Sequence, residues 1–264
     1  MKSGLIFVII TAVLISCSEN IPEGDVKFRS NSVLCDSSED FEKDTAKGYF
    51  YVDIKCLRPI NAHVRLRDSV NRSTNLFLRA RVNIEIDKIN EENINLDASV
   101  REAMIYWFDD VRKNMRTTID CSGCRRYYLK IDHNIAYQND SLISMTYDWK
   151  LYEGGDEDKS LYFVYCLTFN KKTGSQVTYD MLINNKEEFF KTAERKFREQ
   201  TNTNPAENIF DKFIFRDNEF DLGRYFALTD SGMVLYYNPN EVAEQLIKIE
   251  LDYDEIKDYL NFMN

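Results

Sequence analysis

Residues 127–169 read YYLKIDHNIAYQNDSLISMTYDWKLYEGGDEDKSLYFVYCLTF, and their alternation decides the fold. Tyr127, Leu129, Ile131 and Ile135 fall on one parity, and Ile143, Met145, Tyr147, Trp149 and Leu151 repeat the pattern one segment later. A period of two over that length predicts two β-strands, each with one buried face. Leu161 to Phe169 is apolar on both parities, as expected of a central strand. Gly154 and Gly155 let the chain turn between the second and third strands, and Asp156, Glu157 and Asp158 keep that turn wet. His133 sits on the apolar parity and reads as a histidine satisfied at a sheet end rather than as a ligand or base.

Outward from this core, Val26 to Cys35 and Tyr49 to Leu57 read as strands, the second stopped by Pro59, and they are expected to pair as a hairpin. Residues 64–89 carry no clean punctuation, and a helix is favoured over Asn75 to Ile89. A clearer helix follows Ser99, where Val100, Ala103, Met104, Trp107, Phe108, Val111 and Met115 recur at three- and four-residue steps. Past the strands come a turn at Asn170 to Gly174 and a helix over 186–200 with Phe189, Phe190, Ala193 and Phe197 inward. Strands at Tyr225 to Leu228, Met233 to Tyr237 and Ile247 to Leu251 follow, and a last helix starts near Asp252. Strand runs interrupted by single helices indicate an α+β fold with a mainly antiparallel sheet. The expected organisation is a smaller N-terminal α+β part over residues 26–139 and a C-terminal domain over 140–264.

The 264-residue chain is 44% hydrophobic and 13% aromatic, ample for a packed core. Its 44 acidic and 34 basic side chains give a net charge of −10, which argues against a nucleic-acid groove, since phosphates demand clustered Lys and Arg.

At the N-terminus Lys2 precedes the apolar run Leu5 to Leu14. About ten such residues are too few to cross a bilayer but fit the core of a secretory signal. The run ends in Leu14-Ile15-Ser16-Cys17, which resembles the bacterial lipobox. The expectation is a signal over residues 1–16, lipidation of Cys17, and a polar tether over 17–25 that moors a folded body to a membrane of the cell envelope. Ser18 rather than Asp follows the cysteine, which points to the outer membrane, periplasmic or surface-facing.

Cys35, Cys56, Cys121, Cys124 and Cys166 remain. In an oxidising envelope disulfides are the default. Cys35 and Cys56 lie in the first two strands and would bridge them if in register. Cys121-Ser-Gly-Cys124 falls between a helix and a strand, the inverse of a redox Cys-x-x-Cys at a helix start, so a structural disulfide is expected there. A zinc site would need His133 or Cys166 as further ligands, and no second Cys-x-x-Cys is present, so no metal is assigned.

Two segments carry more than periodicity. YEGGDEDKSLYFVYCLTFNKKTGSQVTYDMLI (152–183) resembles the heart of the RsiV-like extracellular domain family, with its Tyr-x-Gly-Gly loop, strand and Thr-Gly turn. YFALTDSGMVLYYNPNEVAEQLIKIELDYDEIKDYL (225–260) resembles that family's C-terminal signature. Members often have His after the glycine pair and Tyr between Pro and Glu, where this chain has Asp156 and Asn240. The same domain pair occurs in a membrane anti-sigma factor whose outer domain binds lysozyme, and beside the catalytic domain of a peptidoglycan deacetylase. The resemblance therefore implies an extracytoplasmic binding module, with lysozyme-like cationic proteins or peptidoglycan glycans as partners.

The residues carry none of the common catalytic motifs: there is no Gly-x-Ser-x-Gly elbow, no His-Glu-x-x-His and no phosphate loop. Paired carboxylates among Glu153, Asp156, Glu157 and Asp158 leave a glycan-active enzyme as the alternative, with a structural accessory of an envelope complex as a third reading. The favoured expectation is a non-enzymatic binder without cofactor. Its candidate contacts are Tyr152, Glu153, Gly154, Gly155 and Asp156 in the acidic loop, with Tyr236 and Tyr237 as aromatic contacts.

Overall fold

A computed structural model of the chain describes residues 24–36, 49–81, 126–152 and 160–261. The fold is α+β, as the alternation predicts. Strands β1 (Phe28–Asp36), β2 (Tyr49–Pro59), β3 (Arg126–Gln138), β4 (Leu142–Tyr152) and β5 (Leu161–Asn170) form one sheet in that spatial order. All pairings are antiparallel except β2 with β3. Strands β6 (Tyr225–Leu228), β7 (Gly232–Tyr237) and β8 (Ile247–Asp252) form a second, antiparallel sheet.

Helix α1 (Val64–Arg81) covers one face of the larger sheet. Leu66, Val70, Phe77 and Leu78 meet Val52, Ile54, Leu129, Ile131, Met145 and Tyr147 in a continuous core. The helix starts eleven residues before the expected Asn75, at Val64. Its inward stripe includes Thr74 and Asn75, both buried, so the apolar period is broken by polar side chains with partners of their own. Asn71 and Asn75 accept hydrogen bonds from the Arg58 guanidinium, and the Thr74 hydroxyl bonds the Tyr147 hydroxyl at 2.7 Å.

The other face of the larger sheet is met by the smaller sheet. Ser144, of polar parity, is fully buried there, pairs with the Thr168 hydroxyl at 3.0 Å and accepts the Leu228 N–H at 3.0 Å. Val164 and Cys166 pack against Ala227 and Tyr236. Strand β5 is thus apolar on both faces because two layers sandwich it, yet it lies at a sheet edge and not at the centre. Its outward-facing backbone is satisfied by a side chain: Asn238 Oδ1 accepts the Val164 N–H at 2.8 Å and Asn238 Nδ2 donates to the Val164 carbonyl at 2.9 Å. The amide substitutes for a neighbouring strand.

The short helix α2 (Tyr179–Leu182) leads into α3 (Lys186–Gln200), which Asn185 caps by accepting the Glu188 N–H. Phe189, Ala193 and Phe197 are buried against the smaller sheet. The Phe197 ring meets Phe213, Phe215, Phe220 and Tyr237 edge to face, the favourable quadrupole arrangement. Helix α4 (Tyr253–Ile256) closes this core with Ile256 and Leu260.

The expected division between residues 139 and 140 falls in the turn joining β3 to β4, which are neighbours in one sheet. Cys35 pairs with Val52, four residues along β2 from Cys56, which pairs with Asn31. That offset is roughly 13 Å of strand, beyond the reach of a disulfide, so the register rules out the bridge. Cys56 and Cys166 are buried in separate clusters, and no disulfide occurs among the described residues. Cys17, Cys121, Cys124 and the expected helix over 100–115 lie outside the described residues, as does the 1–16 signal. Among the described residues no helix is long and apolar enough to cross a membrane.

Candidate functional site

Four strands of the larger sheet present their polar parity on the same side as the smaller sheet, and the register stacks this parity into rows. Tyr51 of β2, Tyr128 of β3 and Tyr152 of β4 form one row. Asp53, Lys130, Lys150 and Tyr162 form the next, and Lys55, Asp132, Asp148 and Val164 the third. Rows two residues apart lie roughly 7 Å from one another and adjacent strands about 4.8 Å, so the face is a lattice of polar groups at short, regular spacing. The smaller sheet packs over its Ser144 and Thr168 end and contributes Lys248 and Tyr236 beside it.

The charges interlock. Lys130 lies 3.0 Å from Asp132, and Lys55 lies 3.6 Å from Asp53 and 3.8 Å from Asp132. The Asp132 carboxylate, by hydrogen bond first and charge second, holds the Lys130 ammonium above its ordinary range. Tyr162 donates its hydroxyl proton to Asp148 Oδ1 at 2.6 Å, and Asn134 Nδ2 donates to Asp148 Oδ2 at 3.1 Å. Burial, then that carboxylate, pushes the Tyr162 phenol upward, and burial does the same to Tyr236. Lys150 stands 5.3 Å from the Tyr162 ring centre, and Lys248 stands 5.6 Å from both the Tyr162 and Tyr236 rings, within cation–π range. Tyr51 and Tyr128 stack 5.1 Å apart at 7°. Burial raises the Tyr128 phenol against the opposing pull of Lys130. Lys55, Lys130, Lys150 and Lys248 face Asp53, Asp132 and Asp148, with Glu250 on the same side of β8 as Lys248, four cations against four anions.

This arrangement can bind: tyrosine rings at one end, hydrogen-bond donors and acceptors in alternation beyond them. Of the sequence-predicted contacts, Tyr152 belongs to it, half-buried at the end of β4. Tyr236 is largely buried at its margin, between β6 and β8. Tyr237 points the other way, is 2% exposed and donates its hydroxyl to the Asp221 carbonyl, which makes it a core residue. Glu153, Gly154, Gly155 and Asp156 lie outside the described residues. The sequence reading missed Tyr51, Asp53, Lys55, Tyr128, Lys130, Asp132, Asp148, Lys150, Tyr162 and Lys248. Their signal was the second parity of the same strands, where Lys130-x-Asp132-x-Asn134 and Asp148-x-Lys150 alternate as strictly as the apolar set.

His133 lies under this face, on the helix side. It is in mid-strand rather than at a sheet end, 4% exposed, and stacks on Tyr147 at 4.0 Å. Its Nδ1 accepts the Leu57 N–H at 3.0 Å, so the neutral ring carries its proton on Nε2, which has no hydrogen-bond partner. Burial, and then the nearby Arg58 charge, pushes its pKa down to about 3.

Residues 179–245, from α2 to the segment after β7, match a family described as a protein of unknown function, DUF3298. A crystal structure of a DUF3298 family member from Bacteroides fragilis is similar over 90% of this chain and 95% of that one, at 17% identity and a TM-score of 0.63. A DUF3298 family protein from Pseudomonas aeruginosa is similar over 90% of this chain and 96% of that one, at 12% identity and a TM-score of 0.56. At such identities the likeness is one of fold. Comparison with curated proteins found no match.

Proposed function

We propose that this chain is a lipid-anchored, non-enzymatic binding protein of the cell envelope, of the RsiV-like type, that holds cell-wall glycan on the polar face of its larger sheet. The observation that carries the reading is the row of Tyr51, Tyr128 and Tyr152 beside alternating Lys and Asp rows on one face. A glycan strand offers hydroxyls and amides at short intervals and apolar ring faces, which is what such a lattice complements. The four lysines of the face give the carboxylates of cell-wall material a partner. Support for the location comes from the ten-residue apolar run and the Leu14-Ile15-Ser16-Cys17 sequence, with Ser18 favouring the outer membrane.

A second reading has its own observation. The net charge of −10 and the acidic stretch Asp156 to Asp158 would attract a lysozyme-like cationic protein. The two readings share the anchor. Changing Cys17→Ala is expected to move the protein from the membrane to the soluble envelope fraction, and unchanged fractionation would contradict the anchor. Incubation with purified peptidoglycan is expected to deplete the protein from solution without releasing soluble sugar or acetate, whereas such release would turn the reading toward an enzyme.

A further inference from the structure

At the opposite end of the strands from Tyr152, a cleft of about 460 Å³ opens between the start of β1, the start of α1 and the turn after β5. Its size falls within the range of small-molecule sites, roughly 300–1,000 Å³. Three observations make it a built site. Lys171 is 7% exposed and yet lines the cleft, with its Nζ donating to the Gly24 carbonyl at 3.0 Å and the Asn139 carbonyl at 2.7 Å. An ammonium has three protons, two of which those carbonyls take, and no carboxylate pairs with Lys171 among the described residues. A buried cation without a counter-ion is costly, and an anion in the cleft would relieve it.

The second observation is the α1 N-terminus. The helix has no acidic residue in its first turn, which instead carries Arg65 and Arg67, the latter 3.6 Å from Asp68, so Arg65 adds to its positive end. His63 Nδ1 accepts the Arg65 N–H, and His63 and Leu66 line the cleft. The turn is pressed onto this helix start by Gly174, whose φ of +71° and approach to the Arg65 and Leu66 backbone admit no side chain. That close approach is what fixes Lys171 beside the helix end.

The third is charge of the other sign at the mouth. Asp25 and Asp140, both exposed, line the same cleft as Lys171 and Lys172. A simple anion would meet those carboxylates with no partner for them. We infer that this cleft binds a small zwitterion, a free amino acid or short peptide, with its carboxylate on Lys171 and the α1 N-terminus and its ammonium toward Asp25 and Asp140. The apolar lining of Val26, Ala62 and Leu66 leaves room for a small side chain. This site is separate from the tyrosine-bearing face and does not depend on it.

The test is titration of the purified full-length chain by NMR, with alanine and alanyl-alanine as zwitterionic probes and acetate and ethylammonium as half-probes. Saturable shifts are expected with alanine or alanyl-alanine, the tighter of the two identifying the source as free amino acid or peptide. Each half-probe is expected to bind at least about tenfold more weakly. Lys171→Met should abolish the saturation. Because Lys171 also holds two carbonyls, Asp140→Asn is the companion variant: it alters an exposed side chain and should weaken alanine or alanyl-alanine several-fold while leaving acetate unchanged. Absence of saturation with both zwitterions, acetate binding as tightly as they do, or affinities indifferent to Asp140→Asn would overturn the inference.

Discussion

His133 shows how much a single buried group can dictate. The folded state holds the imidazole neutral, with its pKa down at about 3, while the unfolded chain protonates it near 6.5. Its contribution to stability is therefore present in full above pH 6.5 and is lost as the pH falls toward 3, because the unfolded state takes up the proton first. Urea unfolding at pH 7 and pH 5 is expected to show the wild type losing roughly 2 kcal/mol more than His133→Gln over that interval. Equal losses in the two proteins would contradict this account of the ring. Asn238 is the other residue on which much rests, since its amide satisfies both backbone groups of Val164. Asn238→Ala strands a buried N–H and carbonyl and is expected to cost about 3 kcal/mol in denaturant unfolding. A loss below about 0.5 kcal/mol would mean that water replaces the amide at no penalty. Neither role was legible in the sequence: His133 announced its burial by parity but not its mid-strand place, and a lone Asn after an aromatic strand looks like any turn residue.

At the scale of elements, legibility followed periodicity. Strands β3 and β4 were readable because Leu129, Ile131 and His133 of the first and Ile143, Met145, Tyr147 and Trp149 of the second are buried in succession on one face. The β3 pattern fails at Ile135, which is 37% exposed, because a register shift between Ile135 and Tyr137 rotates the chain. Helix α3 was readable from its phenylalanines and end charges. Helix α1 was misread at its start because Thr74 and Asn75 occupy its inward stripe, where they meet Tyr147 and Arg58. Strand β5 was assigned to the sheet centre because two-sided apolarity has two causes, neighbouring strands or covering layers, and only the packing tells them apart. Gly174 joins elements that lie far apart in sequence. An alanine Cβ there would meet the Arg65 carbonyl carbon and oxygen at 2.6 Å in a backbone conformation with φ of +71°. Gly174→Ala is expected to lower stability by about 2 kcal/mol or more and to displace the 170–174 turn from α1. A variant of native stability would show that the turn does not depend on this contact.

For the molecule as a whole, two layers pack on opposite faces of one sheet, and the part of the second face that the smaller sheet leaves uncovered is the polar lattice. The residues that match DUF3298 hold α2, α3 and the strands β6 and β7 but end before β8 and α4, and most of the lattice comes from strands before residue 179. A binding role built on both parts would therefore need the whole body. The sequence could be read for the fold class, since it depends on runs of neighbouring residues. The lattice depends on register between four strands, and register is a property of pairing that no single strand carries. The most direct test is co-sedimentation of the purified full-length chain with insoluble peptidoglycan, comparing wild type with the exposed-face variants Lys150→Ala and Tyr152→Ala. The account predicts saturable depletion of the wild type and at least about a tenfold weaker interaction, ~1.4 kcal/mol, for each variant, with folding unchanged by circular dichroism. Depletion that is absent in the wild type, or identical in all three proteins, would contradict it.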